Sequence, residues 1–135
     1  MDLADASPAR GWRGVERRRL EERGRPDLVL CLALVHHLAI GNNVPLESLA
    51  AFLAQIGRHV AIEFVPKEDE KVQRLLMNRE DVFPAYSVEG FERSLSGHFD
   101  VLRKLQEPRG MAHAEVRMLV RCAQLFSRVL AHRLE

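Results

Sequence analysis

Asp27-Leu28-Val29-Leu30-Cys31-Leu32-Ala33-Leu34-Val35-His36-His37-Leu38, residues 27–38, is the stretch whose reading decides the fold. Its apolar run, Leu28 to Val35, follows a Pro-Asp turn signal and ends at two adjacent histidines. A run of this length, rich in Leu and Val, fits a strand covered on both faces, as in a parallel sheet with helices on either side. Periodicity alone leaves a buried helix open. The setting favours the strand: Arg25-Pro26 stands before it, and Gly41-Asn42-Asn43 follows soon after. Ligands of open α/β sheets sit beyond the carboxyl ends of the strands, so His36 and His37 fall where chemistry is expected.

Reading outward, Pro45 and Gly57 bracket a helix from about Leu46 to Gln55. Leu46, Leu49, Ala50, Leu53 and Ile56 form its buried stripe by helical spacing. His59 to Val65 is a β-rich run stopped by Pro66. Strand, helix and strand together make a βαβ unit, which implies parallel pairing and a right-handed crossover. Lys67 to Asn78 is helical again, with Val72, Leu75 and Leu76 on one face. A short helix follows with Ser87 as its N-cap, carries Phe91 and Leu95, and closes at Gly97. His98 to Leu105 reads as a third strand.

Residues 1–26 form a polar connecting segment in which Val15 to Arg23 makes one or two helical turns. Residues 27–107 form the α/β unit, and 108–135 a separate tail. In that tail Val116, Leu119, Val120, Ala123, Phe126, Leu130 and Leu134 recur at helical intervals, predicting one long amphipathic helix. A strand limited to Val116–Val120 is the competing reading.

The chain has 135 residues, 47% hydrophobic and 29% charged, with a formal net charge of +1. That composition describes one soluble globular domain, and nothing in it recommends nucleic acid or a membrane as partner. Trp12 and the arginines of Arg10–Arg25 lack the aromatic interleaving of a nucleic-acid surface. Cys31 and Cys122 are the two cysteines, each within an apolar segment. They read as buried free thiols in a reducing cytoplasm. The histidines at 36, 37, 59, 98, 113 and 132 show no ligand spacing, and neighbours in a strand point to opposite faces, so no metal is expected.

Several strings share an order with a known family: DLADASPARGW, DLVLCLALVHHLAIGNNVPLESLAAFL, IEFVPKEDEKVQRLL and REDVFPAYSVEGFE. Together, over roughly residues 2–107, they resemble bacterial class I S-adenosylmethionine-dependent methyltransferases of the nodulation-methyltransferase-like group. The resemblance implies a Rossmann-like sheet in which DLVLCLALV is the fourth strand. It implies S-adenosylmethionine as cofactor and a small molecule or modified biomolecule as methyl acceptor. By the same resemblance Asp2, with Leu3 beside it, is the acid expected near the adenine.

The chain departs from the family in two places. The family's glycine-rich turn after a first strand, and its acid that holds the ribose hydroxyls, have no counterpart here. The family also closes its sheet with an antiparallel strand pair, whereas the end of this chain reads as a helix. The chain therefore resembles the carboxy-terminal half of such an enzyme.

Methyl transfer from a sulfonium is an in-line substitution, so the protein supplies positioning and, for some acceptors, a base. His36 or His37, at the end of the central strand, is placed for that role. Glu63, ending the next strand, is placed to contact substrate or to pair with Lys67. The Arg17-Arg18-Arg19 run reads as a solvated helix face. The rival reading is a non-catalytic interaction module that associates, with itself or a partner, through an exposed sheet edge.

Overall fold

The computed structural model describes residues 4–109 and 113–123, which include a four-stranded sheet. The strands are β1 (Leu28–Cys31), β2 (His59–Phe64), β3 (Phe99–Arg109) and β4 (His113–Cys122). The α-helices are α1 (Leu46–Ile56), α2 (Glu70–Leu76) and α3 (Val88–Ser96). Spatial order is β1-β2-β4-β3. β1 and β2 are parallel, with Leu28 opposite His59 and Cys31 opposite Ile62. β4 lies antiparallel to both neighbours. The fold is mixed α/β, and the parallel β1–α1–β2 unit is where the sequence puts it.

The core lies on one face of the sheet. Cys31, Val60, Ile62, Phe64, Val116, Met118 and Val120 point into it, and Leu49 and Leu53 of α1 and Phe91 and Leu95 of α3 close over them. Phe64 stacks on Phe91 with ring centroids 4.9 Å apart and meets Tyr86 at 4.7 Å. Tyr86 donates its hydroxyl to the Val65 carbonyl at 2.7 Å, which satisfies its polar end inside the core. The helix starts are marked by side chains, with α2 shorter than the expected Lys67–Asn78. Ser87 Oγ accepts from Gly90 N at 3.0 Å, Asp69 Oδ1 accepts from Lys71 N at 2.8 Å, and Pro45 precedes α1. Gly57 ends α1 because β1 passes close by: a Cβ there would lie 2.6 Å from Val29 Cγ2.

Three expectations need correction. The central strand stops at Cys31 instead of running to Val35. It is also covered on one face only, since Leu28, Leu30 and Leu32 are 50%, 63% and 58% exposed. Continuous apolar sequence signals burial on both faces, but the helices described here pack on the other side. The helical turn expected within Val15–Arg23 is present as a single 3-10 turn, Leu20–Glu22.

The start of the tail is strand, not helix. Val116, Met118, Val120 and Cys122 alternate into the core, and β4 bonds to a neighbour on each side. Residues 116, 119, 120 and 123 satisfy a helical spacing too, and the two free sheet edges decide between the periods. The β3–β4 hairpin spans the boundary expected at residue 107. The remainder of the expected tail helix, 124–135, lies outside the described residues.

The amino-terminal segment is fastened to the domain rather than merely leading into it. Arg25 donates through Nη2 to the carbonyls of Ala54 and Gly57 and to Cys122 Sγ, capping the carboxyl end of α1 with a cation. Among the described residues, no helix is long and apolar enough to cross a membrane.

Candidate functional site

The chain leaves β1 through a tight turn with an unusual backbone. Ala33 adopts φ 51, the left-handed region that a residue with a Cβ enters only when something holds it there. Glu63 holds it. The carboxylate, at the end of β2 and almost fully buried, accepts the Ala33 N–H at Oε2 (2.7 Å) and pairs through Oε1 with Arg117 Nε of β4 (2.9 Å). Three strands are thus tied at their edge by one side chain.

After the turn, Val35 and His36 are helical, and His37–Gly41 continue as a single π-helical turn. Such wide turns occur often at functional sites. Its carbonyl end is held by side chains: Asn42 Nδ2 donates to the His37 carbonyl (2.9 Å), and Arg79 Nη1 to the Ile40 carbonyl.

The turn separates the two histidines. His36 is wholly buried, and neither ring nitrogen has a hydrogen-bonding partner among the described residues. Burial pushes its pKa down, neighbouring His37 and Lys71 push the same way, and Asp69 and Glu63 oppose them. His37 is exposed, and its ring lies 4.3 Å, centroid to centroid, from that of His36 at a tilt of 39°. The expected geometry, neighbours on opposite faces of a strand, is replaced by consecutive helical residues. Only His37 faces solvent, where it can meet a ligand. Among the described residues no three His, Cys, Asp or Glu side chains group as a metal site.

Glu63 sits where it was expected, but its partners differ. Lys67 pairs with Asp81 instead, Nζ to Oδ2 at 2.8 Å. With Oε1 and Oε2 both engaged, Glu63 acts on the turn that carries the histidines. Asp2 and Leu3 lie outside the described residues.

Beside the π-helical turn a cleft of about 370 Å³ opens between Ala39, Asn43–Leu46 and the segment Val82–Tyr86. It lies on the carboxyl side of the parallel strands, and its walls are apolar apart from Asn43. That size falls within the range of small-molecule sites. Sequence reasoning missed Arg117, because its stretch reads as helix, and Ala33, which carries no glycine or asparagine signal for a left-handed turn.

Among the described residues no strand precedes β1, and no glycine-rich strand-to-helix turn is present; Gly41 ends the π-helical turn.

Comparison with known proteins finds a similar protein. It is nodulation protein NoeA of Rhizobium meliloti (strain 1021). The chain is 45% identical to it over 104 residues, which cover 77% of this chain and 22% of that protein. This chain therefore spans about a fifth of the length of NoeA. No protein-family profile matches the chain. No solved structure matches it either.

Proposed function

We propose that this chain supplies the acceptor-side part of a class I, Rossmann-like, S-adenosylmethionine-dependent methyltransferase, working with further polypeptide that grips the cofactor. The acceptor is a small molecule or a modified biomolecule, and the setting is the cytoplasm, where two unpaired thiols stay reduced. The observation that carries this reading is the turn after β1. It emerges from a parallel βαβ unit at the edge where α/β folds bind ligands, bears the exposed His37, and is pinned from the next strand by Glu63. The antiparallel β3–β4 pair lends support, because the family that the sequence resembles closes its sheet in that way.

In this reading the chain's residues have separate tasks. His37 takes a proton from an acceptor hydroxyl or amine as it is methylated. Glu63 and Arg117 fix the backbone that carries His37, and the cleft beside Asn43 holds the apolar body of the acceptor. His36 fills the core beneath.

Titration calorimetry with S-adenosylmethionine tests the proposal on two proteins: this chain and the R. meliloti relative that carries a similar segment in a longer chain. The expected result is saturable micromolar binding by the relative and none by the isolated chain. Binding by neither defeats the methyltransferase reading. Micromolar binding by this chain alone defeats the division of labour between segments.

A further inference from the structure

His36 is an expensive choice for a core position. Its ring is wholly buried by residues of this chain, and neither nitrogen has a partner among the described residues. A neutral imidazole has one N–H to satisfy and an imidazolium has two. A buried donor left unpaired forfeits the hydrogen bond it makes to water. A leucine fills such a site without that cost.

The backbone around His36 is equally unusual. Residues 33–43 form a segment with a left-handed residue at each end, Ala33 at φ 51 and Asn43 at φ 57. Asparagine enters that region readily; alanine does not. Between them lies the π-helical turn His37–Gly41. Glu63 anchors one end through the Ala33 N–H, and Arg79 anchors the other through the Ile40 carbonyl. The rest of the seat is burial of Val35, His36, Leu38, Ala39 and Ile40. Strained ends, a wide turn and two anchors describe a unit that opens locally, at less cost than the sheet beside it.

Protonation acts directly on that seat. The charged and titratable groups around His36 are His37 on its own turn, Glu63 of β2, and Asp69 and Lys71 at the head of α2. Both carboxylates are engaged elsewhere, Glu63 with Ala33 and Arg117, and Asp69 with the Lys71 N–H. Tyr86, which also senses Asp69, donates its hydroxyl to the Val65 carbonyl. A proton on His36 therefore adds a second unpaired donor and a buried charge. Once the segment opens, water solvates the same ring.

We propose that residues 33–43 form an acid-opened gate, hinged at Ala33 and Asn43, with His36 as its sensor. With the ring neutral the segment is seated, His37 stands at the carboxyl edge, and Ala39 and Asn43 line the cleft of about 370 Å³. With the ring protonated the segment lifts, and the histidine and the cleft wall leave their places together. The sign follows from burial. The closed form holds His36 below its ordinary pKa, so high pH favours it. Below about pH 6.5, where a solvated imidazole titrates, the ratio of open to closed segment rises about tenfold per pH unit until the lowered closed value is reached. This inference is independent of the methyl-transfer reading, since it concerns whether the edge is formed, whatever binds there.

Amide hydrogen exchange on the native chain between about pH 8 and pH 5, the range in which an imidazole titrates, tests the proposal. Protection factors, corrected for the pH dependence of intrinsic exchange, report the open fraction. The amides of Leu38 and Asn42, bonded to the carbonyls of Leu34 and Leu38, should lose about tenfold in protection per pH unit below about 6.5. Those of the β2–β4 ladder should keep theirs. His37→Gln should leave the fall in place, because the exposed neighbour is not the sensor, and His36→Leu should abolish it. Constant protection at Leu38 and Asn42 across the range overturns the proposal. So does a fall shared by the ladder, since the opening is then global, or one that His37→Gln removes. Should His36→Leu fail to fold, the native chain and His37→Gln still decide between these outcomes.

Discussion

Replacing Glu63 tests whether one carboxylate organises the histidine-bearing turn. In Glu63→Ala the Ala33 N–H loses a charge-assisted acceptor at 2.7 Å, a bond of a kind that contributes about 1.5–3 kcal/mol. The pair with Arg117 adds less. The arginine side chain is 37% exposed and solvent screens it, so we assign that pair about 0–1 kcal/mol. The sum, about 1.5–4 kcal/mol, is a large part of the stability of a domain this size. In Glu63→Gln an amide oxygen can still accept from Ala33, while the amide NH₂ must face Arg117. A loss of about 1–2 kcal/mol follows, consistent with one strong bond kept and one reversed. Urea denaturation followed by circular dichroism measures both variants, with an unchanged slope showing that the unfolded state is comparable. If Glu63→Ala falls within about 0.5 kcal/mol of the parent, like an ordinary surface substitution, the carboxylate does not hold the turn.

The remaining predictions concern neighbouring parts of the fold. His36 has a pKa lowered by burial, so the folded chain resists protonating it. Its contribution to stability is complete above the unfolded value of about 6.5 and is lost as pH falls below that toward the lowered folded value. Denaturation midpoints at neutral and mildly acidic pH should therefore converge in His36→Leu relative to the parent; an equal pH slope in both would contradict this. Ser87→Ala removes the cap of α3 and should cost about 1 kcal/mol by the same denaturation assay, with no change in sheet content. Burial raises the Cys31 thiol to about 11, and Cys31 and Cys122 are both buried and unbridged. A thiol reagent at mildly alkaline pH should label neither in the native chain and both in denaturant; rapid native labelling would place a thiol at the surface.

The parts of the fold legible in sequence are those decided by local physics. Pro45 and Gly57 bracket α1, Ser87 caps α3, and Pro66 follows β2, because each of these residues acts on the backbone where it stands. What sequence hides is set by distant strands. Val116–Ala123 satisfies both a helical and a strand period, and only the free edges of β2 and β3 select the strand. The turn at Ala33 is held by Glu63, 30 residues away, which no local rule for alanine anticipates. The histidines were legible as a pair at the end of the central strand. Their division into a buried His36 and an exposed His37 depends on where the strand stops, and the apolar run to Val35 conceals that point.

The central claim is that ligand chemistry lies at the carboxyl edge of β1 and β2. Amide chemical-shift mapping of this chain, titrated with S-adenosylmethionine at millimolar concentration where even weak contact registers, tests it most directly. The account predicts small, non-saturating shifts confined to Ala33–Gly41 and Glu63–Val65. Shifts clustered instead at the opposite edge, around His59, His98 and Arg121, would contradict it.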